Sequence, residues 1–551
     1  MLSYRKLAMR VLGRPLHTGG SDSPRPASQR AAALILTAAM LTTLTAPAFA
    51  KEWYIEEGDI TVKAGDTEGT NKVSQGENPE VEDTNTVITN SDKDKASSNT
   101  VTIEAKDKDD KVEVTLKDLN IDASSRSEAA VSVTGEGNTN IELDGDNALK
   151  SDIYSSGISS SGSLTISGGE NDSLTAQGGS GADGIYSSGS LTISGGTVTA
   201  NGGSGGGGDG GDGIRSGGVT ISGGSTVTAN GGDGKDDYGG DGIRSDSGDV
   251  TISGGSTVTA NGGNGGNVSG DGIRSDSGDV TISGGTVKAA GGDSKDGYGG
   301  DGIRSGGVTI SGGTVNAAGG NGGKVGGYGI CSFARVAISG GTVNAAGGNG
   351  KNSNGGSDGI ISNDIDLSGS LELTAKAGRP NGKAISWAGH ELDLDTIKDK
   401  LGPGAKVTAT DANGETKQVS SPIPRPVEPE EPEPVIPEES SSSSDGGSAT
   451  PSAPASPLPG LTVTDKDGQR ISYTSIRGNN VLSIRVGRFT ASLRASLFTL
   501  RQLRAEGIDT ITFQTILCST TLSVDELLAM GGEDAEAVLT HRFTDSSLTV
   551  G

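Results

Sequence analysis

Residue types that commonly form disulfides, catalytic sites, metal sites and sugar-stacking surfaces are scarce in this chain of 551 residues. It has two cysteines, Cys331 and Cys518, too few for a disulfide framework. It has three histidines, His17, His390 and His541. That number does not support a Ser-His-Asp triad or a histidine-ligated metal centre. Aromatic residues make up only 3% of the chain, so extended aromatic arrays for sugar stacking are not indicated either.

Long apolar runs are also missing, except near the start. Six basic residues precede an apolar stretch at 31–44, and Ala48-Phe49-Ala50 is a small-residue cleavage motif. This pattern predicts a signal peptide at 1–50, a secreted protein that is either free or associated with the cell surface, and no membrane insertion after cleavage. Cleavage would remove those six basic residues and Asp22, which takes the formal net charge from −26 to −31. Nucleic acid is therefore not an expected partner.

What the chain has in abundance is a repeat. A three-part sequence motif recurs from about position 157 to 359, in the form DGIRS, VTISGG and TVTANGG. By subtraction, its first isoleucine column has spacings of 27 to 30 residues. A second column of isoleucines and a third of valines follow, each within a short run that alternates apolar residues with Thr or Ser. The columns are Ile158, Ile185, Ile214, Ile243, Ile273, Ile303, Ile330 and Ile360; Ile166, Ile193, Ile221, Ile252, Ile282, Ile310 and Ile338; and Leu174, Val198, Val227, Val258, Val287, Val315 and Val343.

Alternation with period two indicates strands, and three short strands per copy indicate a coil that stacks on the next copy. We therefore expect an all-β fold, a right-handed parallel β-helix at 51–420. Its irregular N-terminal coils would occupy 51–150, its regular coils of about 30 residues 151–378, and a cap 379–420. Column regularity argues against the alternative that so much glycine, 94 residues, means disorder.

The composition changes twice more. Pro, Glu and Ser dominate 421–460, which predicts an extended, disordered linker. Positions 461–551 predict a small α+β domain with strands at 481–484 and 510–513. An amphipathic helix is expected between them, from Leu493 through Leu503 and ending before Gly507.

Acidic residues recur just before Gly-Ile in six copies, which a parallel coil would bring into line. They are Asp183, Asp212, Asp241, Asp271, Asp301 and Asp358. Two interpretations stay open: these aspartates are ligands of calcium, which prefers carboxylate and carbonyl oxygens, or they are a solvated acidic surface.

An arginine column accompanies the acids and can neutralise part of them. It consists of Arg215, Arg244, Arg274 and Arg304. Tyr238, Tyr298 and Tyr328 recur in the long loops before Gly-Ile and are expected along one edge. The arginines and these tyrosines are the candidate carbohydrate contacts. An arginine could also act as the base of a polysaccharide lyase, but four arginines in identical contexts favour a structural role.

Three features together carry a resemblance: the signal peptide followed by WYIEEGDITV at 53–62, IELDGDN at 141–147, and repeated GIRS with VTISGG. With them the chain resembles the carbohydrate-binding β-helix proteins secreted by clostridia and related Firmicutes, over about 53–414. The resemblance implies a polysaccharide-lyase-like shape that binds acidic, uronate-containing polysaccharide with calcium and without cleaving it. We therefore expect a monomeric, non-catalytic secreted binding protein. The alternatives are a structural stalk or adhesin that displays the C-terminal domain, and, less favoured, a lyase.

Overall fold

The computed structural model describes two parts of the chain. It describes residues 51–422 apart from 68 and 354, and residues 461–550 apart from 466–468, 472, 479–480, 487–489, 506, 516–518, 531–535 and 543–544. The expected signal peptide, positions 423–460 of the expected linker, and Cys518 lie outside the described residues. The chain divides into two compact units, 1–428 and 429–551.

The first unit is a right-handed parallel β-helix of about 13 turns, as the repeat predicts. Each regular turn supplies one strand to each of three parallel sheets, and neighbouring strands in a sheet come from successive turns. The repeat columns lie in direct register: Ile214 pairs with Ile243, Val219 with Val250, and Val227 with Val258.

The strands divide among the sheets as follows. The first sheet contains Ile60–Ala64, Val101–Glu104, Val131–Thr134, Ile158–Ser160, Ile243–Ser245, Ile273–Ser275, Ile303–Ser305, Ile330–Ser332, Ile360–Ser362 and Ile385–Trp387. The second contains Glu52–Tyr54, Thr86–Thr89, Lys111–Lys117, Asn138–Asp144, Ser163–Gly168, Val250–Ile252, Val280–Ile282 and Val308–Ile310. The third contains Asn120–Asp122, Asp146–Lys150, Ser173–Ser180, Thr197–Gly203, Thr226–Asn230, Thr257–Asn261, Thr286–Ala290, Thr314–Ala318 and Lys406–Thr410. Ile185–Ile193 and Ile214–Ile221 continue from the first sheet into the second, and Arg335–Ala346 and Asp364–Lys376 from the second into the third.

The apolar columns fill one continuous interior. The isoleucines of the first two columns are fully buried, and the third column and the alanines two positions after it are at most 2% exposed. Stacking identical β-branched side chains at the sheet spacing of about 4.8 Å leaves no room for water inside. The sequence pattern therefore fixes which side of each strand faces inward.

Glycine is required where coils touch closely. A Cβ on Gly272 would lie 2.5 Å from the backbone nitrogen of Ala290 and 2.7 Å from the carbonyl oxygen of Gly302. At the turn between the second and third sheets, Gly254 adopts a φ of 65°, which side chains rarely tolerate. Close contact between coils and a positive φ explain why glycine recurs at the same positions in successive copies of the repeat.

The long loops between the third and first sheets are themselves stacked. We call them the loop lobe, which comprises 203–212, 232–241, 263–271, 292–301, 320–328 and 348–358. Glycine amides bind both between and within its layers: Gly263 donates to the Gly240 carbonyl of the preceding layer at 2.8 Å, and Gly270 donates to the Gly263 carbonyl of its own layer at 2.9 Å. The glycine-rich loops thus form hydrogen-bonded layers, in which the contacts between layers are made by backbone atoms where other proteins use side chains.

Extra strands and two 3-10 helices close the described ends. Asn71–Gln75 and Val81–Asp83 add antiparallel strands at the start, beside the 3-10 helix Ile55–Glu57. His390–Glu391 and Thr416–Ser420 add them at the end. The 3-10 helix Leu394–Lys400 buries Leu394 and Ile397 in the core.

The described residues of the second unit form two four-stranded sheets and two helices. One sheet contains Leu461–Thr464, Thr490–Ser496, Glu536–Arg542 and Asp545–Val550, and the other Thr474–Gly478, Val481–Arg485, Thr510–Gln514 and Ser519–Ser523. The helices are Leu497–Ala505 and Val524–Met530. The expected helix start at Leu493 is wrong, because Leu493 lies in a strand paired with Leu539. Ala491, Leu493 and Ala495 alternate as buried positions, and this period of two prevails up to Ser496.

Candidate functional site

The six predicted aspartates lie in one column where the loop lobe enters the first sheet. Each uses its side chain to bind the backbone of the next turn. The Oδ1 atoms of Asp212, Asp241 and Asp271 each accept a hydrogen bond at 2.6 Å from the N–H of the following column member. Asp183 does the same at 2.7 Å. Asp212, Asp241, Asp271, Asp301 and Asp358 are 4 to 8% exposed. We call this set the aspartate ladder.

Burial and crowding change the protonation of the ladder. Burial, together with Asp271, raises the pKa of Asp241 to about 7. Burial, together with Asp301, raises the pKa of Asp271 to about 7, and burial raises that of Asp301 to about 6. The pKa values of Asp183 and Asp358 are raised by burial, and that of Asp212 is raised well above its usual range by burial and by its neighbours Asp241 and Asp183. Part of the ladder is therefore protonated near neutral pH.

A second ladder on the loop lobe shows the contrast. In it the N–H groups of Asn264, Asp293, Asn321 and Asn349 bind the side-chain oxygen of the preceding member at 2.6 to 3.0 Å, starting from Asp233. Here amides separate the carboxylates, so no two acids are adjacent. The buried ladder instead stacks five carboxylates in succession, from Asp183 to Asp301.

Calcium is one of the two interpretations that the sequence leaves open for the aspartate ladder. Calcium takes about six to eight oxygen ligands, whereas each Oδ1 named above already accepts a backbone hydrogen bond. In the described parts of the chain, no group of three or more His, Cys, Asp or Glu side chains is arranged to hold a metal ion. The physical reason is that successive carboxylates point along the axis to the next backbone, not toward a common centre. Calcium binding by the protein as such stays a prediction.

The predicted arginine column is also formed, on the outward side of the first sheet. Arg215, Arg244, Arg274 and Arg304 pair in register across successive turns. Two carboxylates at the following corner bridge three of them. Asp246 contacts the Nε atoms of Arg215 and Arg244, each at 3.0 Å, and Asp276 lies 2.8 Å from Arg244 and 2.6 Å from Arg274. The expected ladder pairing is therefore made mostly with corner aspartates.

The buried ladder receives weaker compensation from the arginines. Arg274 approaches Asp241 and Asp271 at 4.0 Å, and Arg304 approaches Asp301 at 4.0 Å. The five stacked aspartates and two corner aspartates outnumber the four arginines by three. Protonation of ladder members reduces this excess, and their pKa values are raised accordingly.

Two of the three predicted tyrosines share an edge. Tyr238, Val268 and Tyr298 pair through backbone bridges on the loop lobe, and the two tyrosines are 52% and 48% exposed. Tyr328 does not join them, because its N–H binds the Oδ1 atom of Asp301 at 2.6 Å. It takes a place in the aspartate column, and Val325 takes the place that follows Tyr298.

An open groove lies where the arginine column ends toward the N-terminus, and no sequence pattern marks it. Its volume is about 560 Å³, and its lining includes Tyr154, Tyr186, Arg215, Asp183 and Glu128 with several serines. Tyr154 is 85% exposed and has a φ of 62°, an unfavourable backbone conformation for a tyrosine. The Cζ atom of Arg215 lies 6.0 Å from the ring centroid of Tyr186. We call this the tyrosine groove.

Comparison with known proteins supports the fold. A family model described as a beta helix repeat matches residues 219–243, 280–303 and 308–330. Each segment runs from a strand of the second sheet through a strand of the third sheet and the loop lobe to the first isoleucine of the next first-sheet strand. The chain therefore carries a parallel β-helix repeat. No curated protein and no solved structure matches the chain. No helix in the described parts is long and apolar enough to cross a membrane.

Proposed function

We propose that this protein is a secreted, non-catalytic carbohydrate-binding protein that binds an acidic, uronate-containing polysaccharide in the tyrosine groove. The observation that carries the proposal is the combination, in one open groove, of two tyrosine rings, an arginine and a rim of hydroxyl groups. Aromatic rings pack against the apolar faces of sugars, and hydroxyl groups hydrogen-bond their polar edges. An arginine guanidinium recognises a carboxylate with two parallel hydrogen bonds.

The conformation of Tyr154 supports a binding role. A ring that is 85% exposed contributes little to the core, and its left-handed backbone costs of order 1 kcal/mol or more. Strained, exposed residues of this kind concentrate at functional sites. The ring lies beside the turn at Gly181, where an added Cβ would be 3.7 Å from it. This turn forms one wall of the groove.

The charge balance determines which sugars can approach. The formal net charge of −26 repels a polyanion at long range. Close to the groove, Arg215 shares Asp246 with Arg244, and the carboxyl groups of Asp183 and Glu128 line the groove beside it. Burial raises the pKa of Asp183, so the negative charge at the groove decreases as the pH falls. Protonation of the ladder behind the arginines removes further negative charge. Binding of an acidic glycan should therefore strengthen as the pH falls from 8 toward 6.

A glycan array tests the proposal. The mature chain, starting at Lys51, is applied with and without a chelator, and the best ligand is titrated by calorimetry. We expect uronate-containing glycans to bind, and Tyr186→Ala and Arg215→Ala to weaken binding by at least about tenfold, or about 1.4 kcal/mol. Loss of binding with the chelator would support a calcium requirement. Absence of any glycan ligand would refute the proposal.

Tyr238→Ala is the control, since it removes an exposed tyrosine from the loop lobe, outside the groove. We expect it to bind like the unchanged protein. If Tyr238→Ala and not Tyr186→Ala abolishes binding, the site is the lobe edge instead. A rise in ultraviolet absorbance on incubation with polygalacturonate, from new unsaturated uronate, would indicate lyase activity and contradict the non-catalytic assignment.

The second candidate function is a stalk or adhesin that displays the C-terminal unit. It is favoured by the division of the chain into two compact units, each with its own core. Removing 461–551 separates the candidates. A stalk loses its binding with that unit, whereas a glycan-binding β-helix keeps it.

A further inference from the structure

Arg304 differs from the other members of the arginine column. The corner position that holds Asp246 and Asp276 in the two preceding turns is Gly306 in its own turn and Phe333 in the next. Among the described residues, its ion pair is with Asp301 at 4.0 Å, and its side chain is 40% exposed. Arg304 therefore keeps more free donor capacity than Arg244, which contacts two carboxylates at 3.0 and 2.8 Å.

Phe333 presents an apolar surface beside this arginine. Its side chain is 56% exposed, and the Cζ atom of Arg304 lies 5.3 Å from its ring centroid. The apolar ring orients the guanidinium by a cation–π contact without consuming its N–H donors. Arg304 and Phe333 thus combine an aromatic surface on which a sugar can stack with N–H groups that are available as hydrogen-bond donors.

A second exposed aromatic residue stands on the same corner. Trp387 is 49% exposed, and its Nε1–H donates to the Asn363 carbonyl at 2.9 Å. The Asn363 side-chain amide donates to the Phe333 carbonyl at 2.6 Å. These hydrogen bonds link three successive turns, so the two aromatic residues are held about 10 Å apart along the axis.

We propose that Arg304, Phe333 and Trp387 form a second glycan subsite, which binds a carboxylate-bearing sugar of the same polysaccharide chain that occupies the tyrosine groove. This inference rests on the proposed function and adds that the polysaccharide must be long enough to reach both sites. From Tyr186 to Arg304 the outward column of the first sheet advances four turns, which is about 19 Å. A ligand that reaches both sites gains affinity because the second contact is intramolecular.

Calorimetry of the mature chain with digalacturonate and progressively longer oligogalacturonates tests the subsite. We expect oligomers that span about 19 Å to bind at least about tenfold more tightly than digalacturonate. Arg304→Ala and Phe333→Ala should remove that gain and leave digalacturonate affinity at the groove unchanged. Circular dichroism and melting temperature establish that both variants fold.

Arg335→Ala is the matched control. Arg335 is an exposed arginine one turn further along, paired with Asp364 and Asp366. We expect Arg335→Ala to keep the full increase in affinity with oligogalacturonate length. A gain that persists in both Arg304→Ala and Phe333→Ala, or no gain in the unchanged protein, overturns the subsite while leaving the groove in place. Failure of every oligomer to bind refutes the proposed function itself, together with the subsite.

Discussion

Replacing Asp271 by asparagine should stabilise the protein at pH 8 and not at pH 5. Asp271 is the fourth of the five stacked carboxylates and is 4% exposed. Its Oδ1 atom accepts from the Asp301 N–H at 2.6 Å, while its Oδ2 atom has no hydrogen-bond partner among the described residues. An asparagine keeps the accepting oxygen and removes the charge. Asn264 and Asn321 already play this part in the ladder on the loop lobe.

The magnitude follows from the pKa of Asp271. In the folded state it is raised to about 7, against about 3.9 in an unfolded chain. The unfolded chain therefore releases this proton at lower pH than the folded protein. Folding loses about 1.4 kcal/mol per pH unit between those values, or about 4 kcal/mol at pH 8, and nothing below about pH 4.

Asparagine removes this cost and introduces a smaller one. It gives up the attraction to Arg274 Nη1, 4.0 Å from Oδ2, and places an amide N–H₂ at the Oδ2 position, which has no hydrogen-bond partner among the described residues. Leaving such a donor unsatisfied costs about 1–3 kcal/mol. We therefore expect Asp271→Asn to gain about 1–3 kcal/mol at pH 8. At pH 5, where Asp271 is protonated in the folded state, it should be neutral or slightly destabilised.

Thermal and urea unfolding of a chain that starts at Lys51, followed by circular dichroism at pH 5 and pH 8, measures the effect. Asp293→Asn is the control, because it makes the same change in the exposed ladder. Its effect should stay within about 0.5 kcal/mol at both pH values. Equal destabilisation by Asp271→Asn at pH 5 and pH 8 would mean that the ionised carboxylate is well compensated, and would refute the reasoning.

Three further predictions concern packing and reactivity. Gly272→Ala should lower the free energy of unfolding by more than about 3 kcal/mol, because its Cβ would meet the Ala290 backbone nitrogen at 2.5 Å. The control Gly255→Ala, at φ 75° with open space around the Cβ, should lower it by about 1 kcal/mol. Equal melting temperatures of the two variants would contradict this. Ile273→Ala should cost about 2–5 kcal/mol in urea unfolding, and a change below 1 kcal/mol would place its side chain outside the core. Burial raises the pKa of Cys331 to about 12, so its thiol should resist iodoacetamide at pH 8 in the native protein and react once unfolded, as read by mass spectrometry; rapid native labelling would show otherwise.

Outward features follow less directly from the repeat than inward ones. Tyr328 was expected beside Tyr238 and Tyr298, but it directly precedes Gly329-Ile330, the place that Asp301 takes before Gly302-Ile303. Counting back from Gly-Ile therefore places Tyr328 in the aspartate column and Val325 at the position of Tyr298, and the structure pairs Tyr298 with Val325. The tyrosine groove, in contrast, joins Tyr154 to Arg215, which are 61 residues apart in sequence. No local pattern marks them as neighbours.

The amino-acid sequence by itself determined the three sheets, their register and the positions of the aspartate and arginine columns. The reason is that a period of two within strands and about thirty between turns leaves one way to bury every isoleucine. Only the tertiary structure decided that the aspartates bind the backbone of the next turn, that corner aspartates bridge three arginines, and that Phe333 adjoins the fourth. Those contacts depend on the path of the loop lobe and on side-chain direction, because a hydrophobic period constrains the inward face of a coil and leaves its outer surface free.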